Sequence, residues 1–437
     1  MGLSKLPSVN AVWLAALAVG ACGEAQSRLP PAASGKTVLY AAVGAELTQF
    51  DVDVEHGTLV RRGAIRLPAN VQEAALHPSR RHLYVAWSNT GPSYGSAAGV
   101  AGPRQPAGAA ASYGLTAFRV NPASGALTPV GSPAPLRARP IHLTTDMDGT
   151  HVPVAYNDPS GVSVHRLEPD GTIGAEVGQP PSLDGGTYAH QIRVLPSNRA
   201  AVLVTRGNIA AAGKPEDPGA LKMFAYQRGV FRNRPSIAPN GGYGFQARHL
   251  DFHPSRPWAF LTLESQNRIE MYRISEDSLS PAALFSKTTL AEPEKVRPEQ
   301  RASSIRVHPN GRFVYVGNRA SGTTEVRGAR VSVGGENTIA VFAIDRDTGE
   351  PTLIQTADTR GFYPRTFEVD GSGRLLVVAN QHPVAVRDGD RIRTVPASLS
   401  AFRIGPDGKL TFIRAYDVAA DPNAGRLLFW MGIVSFD

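Results

Sequence analysis

The chain holds a single cysteine, Cys22, in 437 residues. An intrachain disulfide and a cysteine-based zinc site are both excluded, so packing and backbone hydrogen bonds must hold the fold. Sustained helical periodicity is missing beyond the first twenty or so residues, which argues against folds that need helices between strands, such as doubly wound sheets and TIM barrels. No run of five or six basic residues accompanies the formal net charge of +8, so a nucleic-acid-binding arm is not expected. There is no G-x-S-x-G elbow, H-E-x-x-H pair, EF-hand loop, Walker motif or dinucleotide glycine motif, and thus no sequence sign of a metal or cofactor. The DMDG at 146–149 lacks the rest of a calcium loop and reads as a hairpin turn.

Turn formers are plentiful. The 44 Gly and 35 Pro are 79 of 437 residues, about 18% against a usual 12%. They punctuate a repeat of a short apolar strand, a tight turn and a strand of alternating hydrophobics. Its copies are AALHPSRRHLYVAWSN (74–89), LTTDMDGTHVPVAYND (143–158), IRVLPSNRAAVLVTRGN (192–208), LDFHPSRPWAFLTLESQN (250–267), IRVHPNGRFVYVGNRA (305–320) and FEVDGSGRLLVVANQ (367–381). A third strand follows most copies, for example TIAVFAI and SLSAFRI, and several add a second turn and a fourth. One such unit cannot cover both of its faces, so copies must stack. Radial stacking protects the sheet edges. With the strand VLYAAV at 38–43, the count predicts an all-β, seven-bladed β-propeller of four-stranded antiparallel blades over residues 37–437. His77, His253 and His308 recur before proline at one repeat position, which marks turn or packing elements. Residues 91–113 and 321–336 read as insertions, and a closed ring of this kind is expected to be a monomer.

Residues 1–21 read as an export leader: Lys5, then the apolar run 11–21, too short to span a bilayer. Val19-Gly20-Ala21-Cys22 resembles a lipobox, which would acylate Cys22, anchor the chain in a membrane through its lipid and leave 22–36 as a tether. The alternative is an ordinary secretory signal cleaved near 21–25. Either predicts a bacterial periplasmic or outer-membrane-anchored protein.

The repeat, together with ARHLDFHPSRPWAFLTLESQNRIEMYRI (247–274), SIRVHPNGRFVYVGNRASG (304–322), the stretch 337–381 and YAHQIRVLPSNR (188–199), resembles the seven-bladed lactonase family, which includes bacterial 6-phosphogluconolactonases and fungal carboxymuconate cyclases. The resemblance places four catalytic positions on His190, Arg248, Glu264 and Arg319. Tyr188, Ala247 and Leu263 stand where the family motifs carry His, Pro and Asn, and Ser304 where the family often carries glutamate. His142, Arg306 and Arg365 are candidate substrate-binding residues lining the channel. The resemblance implies hydrolysis of an anionic or sugar lactone without a cofactor: Glu264 or His190 activates water, and Arg248 and Arg319 hold the anion and the oxyanion. Alternatives are cycloisomerase chemistry and a non-catalytic ligand- or protein-binding propeller. The residues also have structural readings: a strand histidine, a blade-stitching Arg248–Glu264 pair and an ordinary loop arginine at Arg319. Strand starts and strand ends need not face the same mouth, so their convergence is left open by the sequence.

Overall fold

A computed structural model describes residues 1–2, 35–91, 110–211 and 213–436. Of the export leader expected over residues 1–21 only residues 1–2 are among them, and Cys22 lies outside the described residues. Within the compact unit Ala32–Asp437, seven antiparallel sheets form the blades of a propeller. The inner strands of blades two to seven are Asn70–Leu76, Pro140–Leu143, Ala189–Val194, Ala247–Phe252, Gln300–Val307 and Pro364–Val369. Each packs against the next around a central channel. Thr37–Val43, Glu46–Asp53 and Thr58–Arg66 form three strands of blade one, and its inner strand is the distant Leu428–Ser435. The C-terminus therefore closes the ring, and neither end of the sheet sequence is left as a free edge. In blade five the outer strand is broken into Ser278–Leu279 and Phe285–Thr288. The insertion at 321–336 folds as a hairpin, Thr323–Val326 with Ala329–Ser332, and packs against a second hairpin, Val384–Asp388 with Arg391–Val395.

The core lies between blades. Trp258, Phe260 and Met271 of blade five, for example, interlock with Val314, Val316 and Phe342 of blade six. Polar pins tie the blades as well. The Nε2–H of His77 donates to the Gly149 carbonyl (2.9 Å), that of His253 to Gly311 (2.8 Å) and that of His308 to Gly373 (2.8 Å). Each Nδ1 accepts a backbone N–H from its own turn (Ser79, Ser255 and Asn310), which fixes the tautomer that can donate. The repeated histidine thus ties each turn to the turn of the next blade. The receiving glycines sit at φ +69°, +70° and +72°, a region other residues enter at a cost. A Cβ on Gly311 would lie 2.5 Å from the His253 ring. Gly311→Ala is therefore expected to lower stability by about 2 kcal/mol, from left-handed strain and the displaced pin. Urea unfolding measures this, and an unchanged midpoint would contradict it.

Candidate active site

Every inner strand carries a register shift against its neighbour near the same end. One or two residues are left over in each blade: Gln72, Ile141, His190, Arg248 with His249, Ser303 with Ser304, Arg365 and Phe429. A bulge turns a side chain out of the regular alternation and re-aims it. Three of these bulges carry candidates named from the sequence. Two residues before His190, Arg248 and Arg365, the backbone of Tyr188 (φ 55°), Gln246 (47°) and Tyr363 (57°) is left-handed, a costly conformation that tends to mark functional positions.

His190, Arg248, Glu264 and Arg319 meet at one mouth of the channel. The reason is antiparallel pairing, in which the start of an inner strand lies beside the end of the next strand. Ala247 pairs with Leu263 and Arg301 with Arg319, so Arg248 and Glu264 are neighbours despite sixteen intervening positions. Glu264, 1% exposed, is the hub. Arg206 Nη1 donates to its Oε2 (3.2 Å), Arg319 Nη2 donates to its Oε1, and Arg248 Nε stands 3.8 Å from the same oxygen. Burial alone would raise this carboxyl's pKa, but Arg319, Arg206 and Arg248 outweigh it and hold the group well below the usual range. Glu264 is thus a poor acceptor for the proton of an attacking water, and its contacts are those of an arginine anchor.

Arg248 is fully buried. Its Nη1 donates to His249 Nδ1 at 2.7 Å. Because arginine only donates, that imidazole must carry its proton on Nε2. The His190 ring meets His249 edge-on at 4.9 Å, and His142 lies 6.4 Å from His249. Burial and then Arg248 push both His190 and His249 well below the ordinary histidine range, so both are neutral; burial does the same to His142, helped by Arg193. Arg206 lies over the Tyr188 ring (4.2 Å), Arg319 over Tyr363 (4.7 Å) and Arg365 over Phe429 (3.9 Å). Burial lowers Arg139 and Arg365 to about 10 each, with Arg319 adding repulsion at Arg365. Both therefore remain cations at neutral pH.

The other sequence candidates have different surroundings. Arg306 is committed to Glu368, its Nε 2.9 Å from both carboxylate oxygens, so it is not free to clamp a substrate anion. His142 faces Gln191 at 3.5 Å. Ser304 donates its hydroxyl to the Arg365 carbonyl (2.9 Å) and Ser303 to that of Pro364 (2.8 Å). Arg139, Arg206, His249 and Glu73 were not singled out from the sequence. Arg206 could have been: it ends the VLVTR strand where the next repeat ends in Glu264. Among the described residues, no group of His, Cys, Asp and Glu side chains is placed to hold a metal ion.

A closed seven-bladed ring with a cationic mouth is the class that these observations define. The family described as "Lactonase, 7-bladed beta-propeller" matches residues 35–387, and the chain belongs to it. It is 24% identical over 387 residues to a 6-phosphogluconolactonase of Serratia proteamaculans, covering 87% of this chain and 93% of that one. With one of Pectobacterium carotovorum it shares 26% over 329 residues, covering 74% and 82%. The fold also matches the structure of the periplasmic gluconolactonase of Pseudomonas aeruginosa, with TM-score 0.64, 18% identity, and 92% and 100% coverage.

Proposed function

We propose that this protein hydrolyses a sugar lactone bearing negative charge, bound at the arginine-lined mouth. The carrying observation is an excess of buried cation over carboxylate. Arg206, Arg248 and Arg319 share Glu264, and Arg139 and Arg365 stand close by. Buried N–H groups of Arg139, Arg248 and Arg319 find no acceptor among the described residues. Buried donors without acceptors are costly unless a ligand supplies them. The rigid guanidinium fork suits phosphate, carboxylate and the oxyanion of a tetrahedral intermediate.

In this reading Arg248 and Arg319 stabilise the oxyanion that forms at the lactone carbonyl, and Arg365 with Arg139 holds the substrate's own anionic group. Glu264 fixes the arginines by accepting from Arg206 and Arg319 and pairing with Arg248 at 3.8 Å. His190 and His249, both neutral, bind sugar hydroxyls. Their lowered basicity makes them weak acceptors for a water proton. The named relatives support a sugar lactone or its 6-phosphate. The leader expected over residues 1–21 supports a site outside the cytoplasm, where a carboxylated or unphosphorylated sugar lactone is the more accessible substrate.

Hydrolysis releases one proton for each lactone opened, so proton release on mixing with gluconolactone, its 6-phosphate and a uronic-acid lactone tests the proposal. Turnover well above the uncatalysed rate is expected for at least one of them. Rates equal to the uncatalysed reaction for all three would leave a binding propeller as the better reading.

A further inference from the structure

The second residue after the last paired one at the shifted end of each inner strand takes an equivalent place in the seven strands around the channel: Glu73, His142, Gln191, His249, Ser304, Thr366 and Trp430. Among these, Ser304 is a hydroxyl spent on the Arg365 carbonyl. One of the seven is a carboxylate, on a different blade. Glu73 follows the bulge in blade two, and its carboxylate accepts from the Trp430 indole on the inner strand of blade one. Arg365 of blade seven and Arg306 of blade six act on it across the channel.

Resting on the lactonase reading above, we propose that Glu73 is the general base of the reaction. Glu73 takes a proton from water as the water oxygen bonds to the lactone carbonyl carbon. The ester bond between that carbon and the ring oxygen then breaks. The ring oxygen leaves with a proton, which Glu73 can return. The product is the open hydroxy acid, and its ionisation releases the proton seen in solution.

The surroundings suit the role. Glu264, the other carboxylate at the mouth, is bound by three arginines and held strongly acidic. Glu368 is clamped by Arg306. Among the described residues, no arginine is hydrogen-bonded or ion-paired to Glu73. Burial raises its carboxyl to about 7, while Arg306, its own strand's Ala74 N–H, Arg365 and Trp430 pull the other way. Other ionisable groups around these two arginines are Arg139, Arg319 and Tyr363 beside Arg365 and Glu368 and Asp251 beside Arg306, with His142 of the adjoining inner strand kept neutral by burial. A base whose pKa lies near the working pH combines a populated basic form with real driving force for proton transfer.

The test is proton-release kinetics of the full chain, Glu73→Gln and Glu73→Asp on gluconolactone and its 6-phosphate, from about pH 5 to about pH 8. For the wild-type chain, kcat should climb about tenfold per pH unit below about 7 and flatten above it. Glu73→Gln should lose about 10² in kcat and also the acid limb, with KM little changed. Glu73→Asp should keep the limb at a reduced rate. A readout independent of turnover follows from linkage. A folded carboxyl whose pKa is raised binds more proton than the unfolded chain between about 4.5 and about 7. Wild-type stability must therefore fall across that window relative to Glu73→Gln. If Glu73→Gln turns over at the wild-type rate with the limb intact, the base is elsewhere while the lactonase reading stands. If the wild-type chain opens neither lactone, the lactonase reading fails and this assignment fails with it.

Discussion

Glu264→Gln is expected to destabilise the fold by about 3–5 kcal/mol, the usual result of removing one partner from a buried ionic cluster. Glutamine keeps the shape, so no cavity arises. What disappears is the negative charge that Arg206, Arg248 and Arg319 share inside a site where Glu264 is 1% exposed and Arg248 fully buried. Three guanidinium groups then repel one another with little water to screen them. An exposed pair such as Lys295–Glu292 should cost almost nothing to break. The sign of the pH effect is also fixed. Because the folded carboxyl is more acidic than the unfolded one, its contribution is present above the ordinary carboxylate range and is lost as pH falls through the folded value. Inorganic phosphate should restore part of the loss in the variant, since an anion that binds only the folded chain stabilises it by mass action. Urea unfolding with and without phosphate measures both effects. A loss below about 1 kcal/mol would show that the arginines do not depend on this carboxylate.

Much of the ring was legible because its signals are local. HPNGR and DGSGR specify a hairpin within five residues, and six of the seven inner hairpins announce themselves this way. Blade one closes through Leu428–Ser435 pairing with Thr37–Val43, nearly the length of the chain apart, and no turn motif marks such a contact. The site was less legible for a different reason. Alternation along a strand assigns faces by period two, and a bulge breaks that period without any fixed residue signature. Gln72-Glu73, just before the first recognised copy of the repeat at 74–89, therefore gave no hint of a carboxylate in the channel. His249 was hidden in the same way, because its neighbour Arg248 takes the adjacent place in the same bulge. The convergence of Arg248 with Glu264 and Arg319 follows from antiparallel register once the hairpins are drawn, but needs the ring to bring blade five against blade six.

Arg248→Met is expected to reduce kcat/KM by about 10³ while leaving the protein as stable as the parent or more so. The two halves of this prediction come from one imbalance. Cations outnumber carboxylates at the mouth, so removing one arginine relieves repulsion from Arg319 and Arg365. Arg206 and Arg319 remain to pair Glu264, and methionine fills most of the space. A buried guanidinium with two N–H-bearing nitrogens unpartnered among the described residues is a burden in the folded chain, and it persists where function requires it. The lost activity has two sources. The oxyanion loses a charged donor, and His249 loses the 2.7 Å hydrogen bond that sets its tautomer. Arg248→Lys separates them from bulk charge: an ammonium restores the cation but lacks the planar fork that engages His249 and the substrate together, so little activity should return. Steady-state kinetics beside thermal unfolding decides the matter. A Met variant that is less stable and still active would make Arg248 a structural stitch between blades instead of a catalytic group.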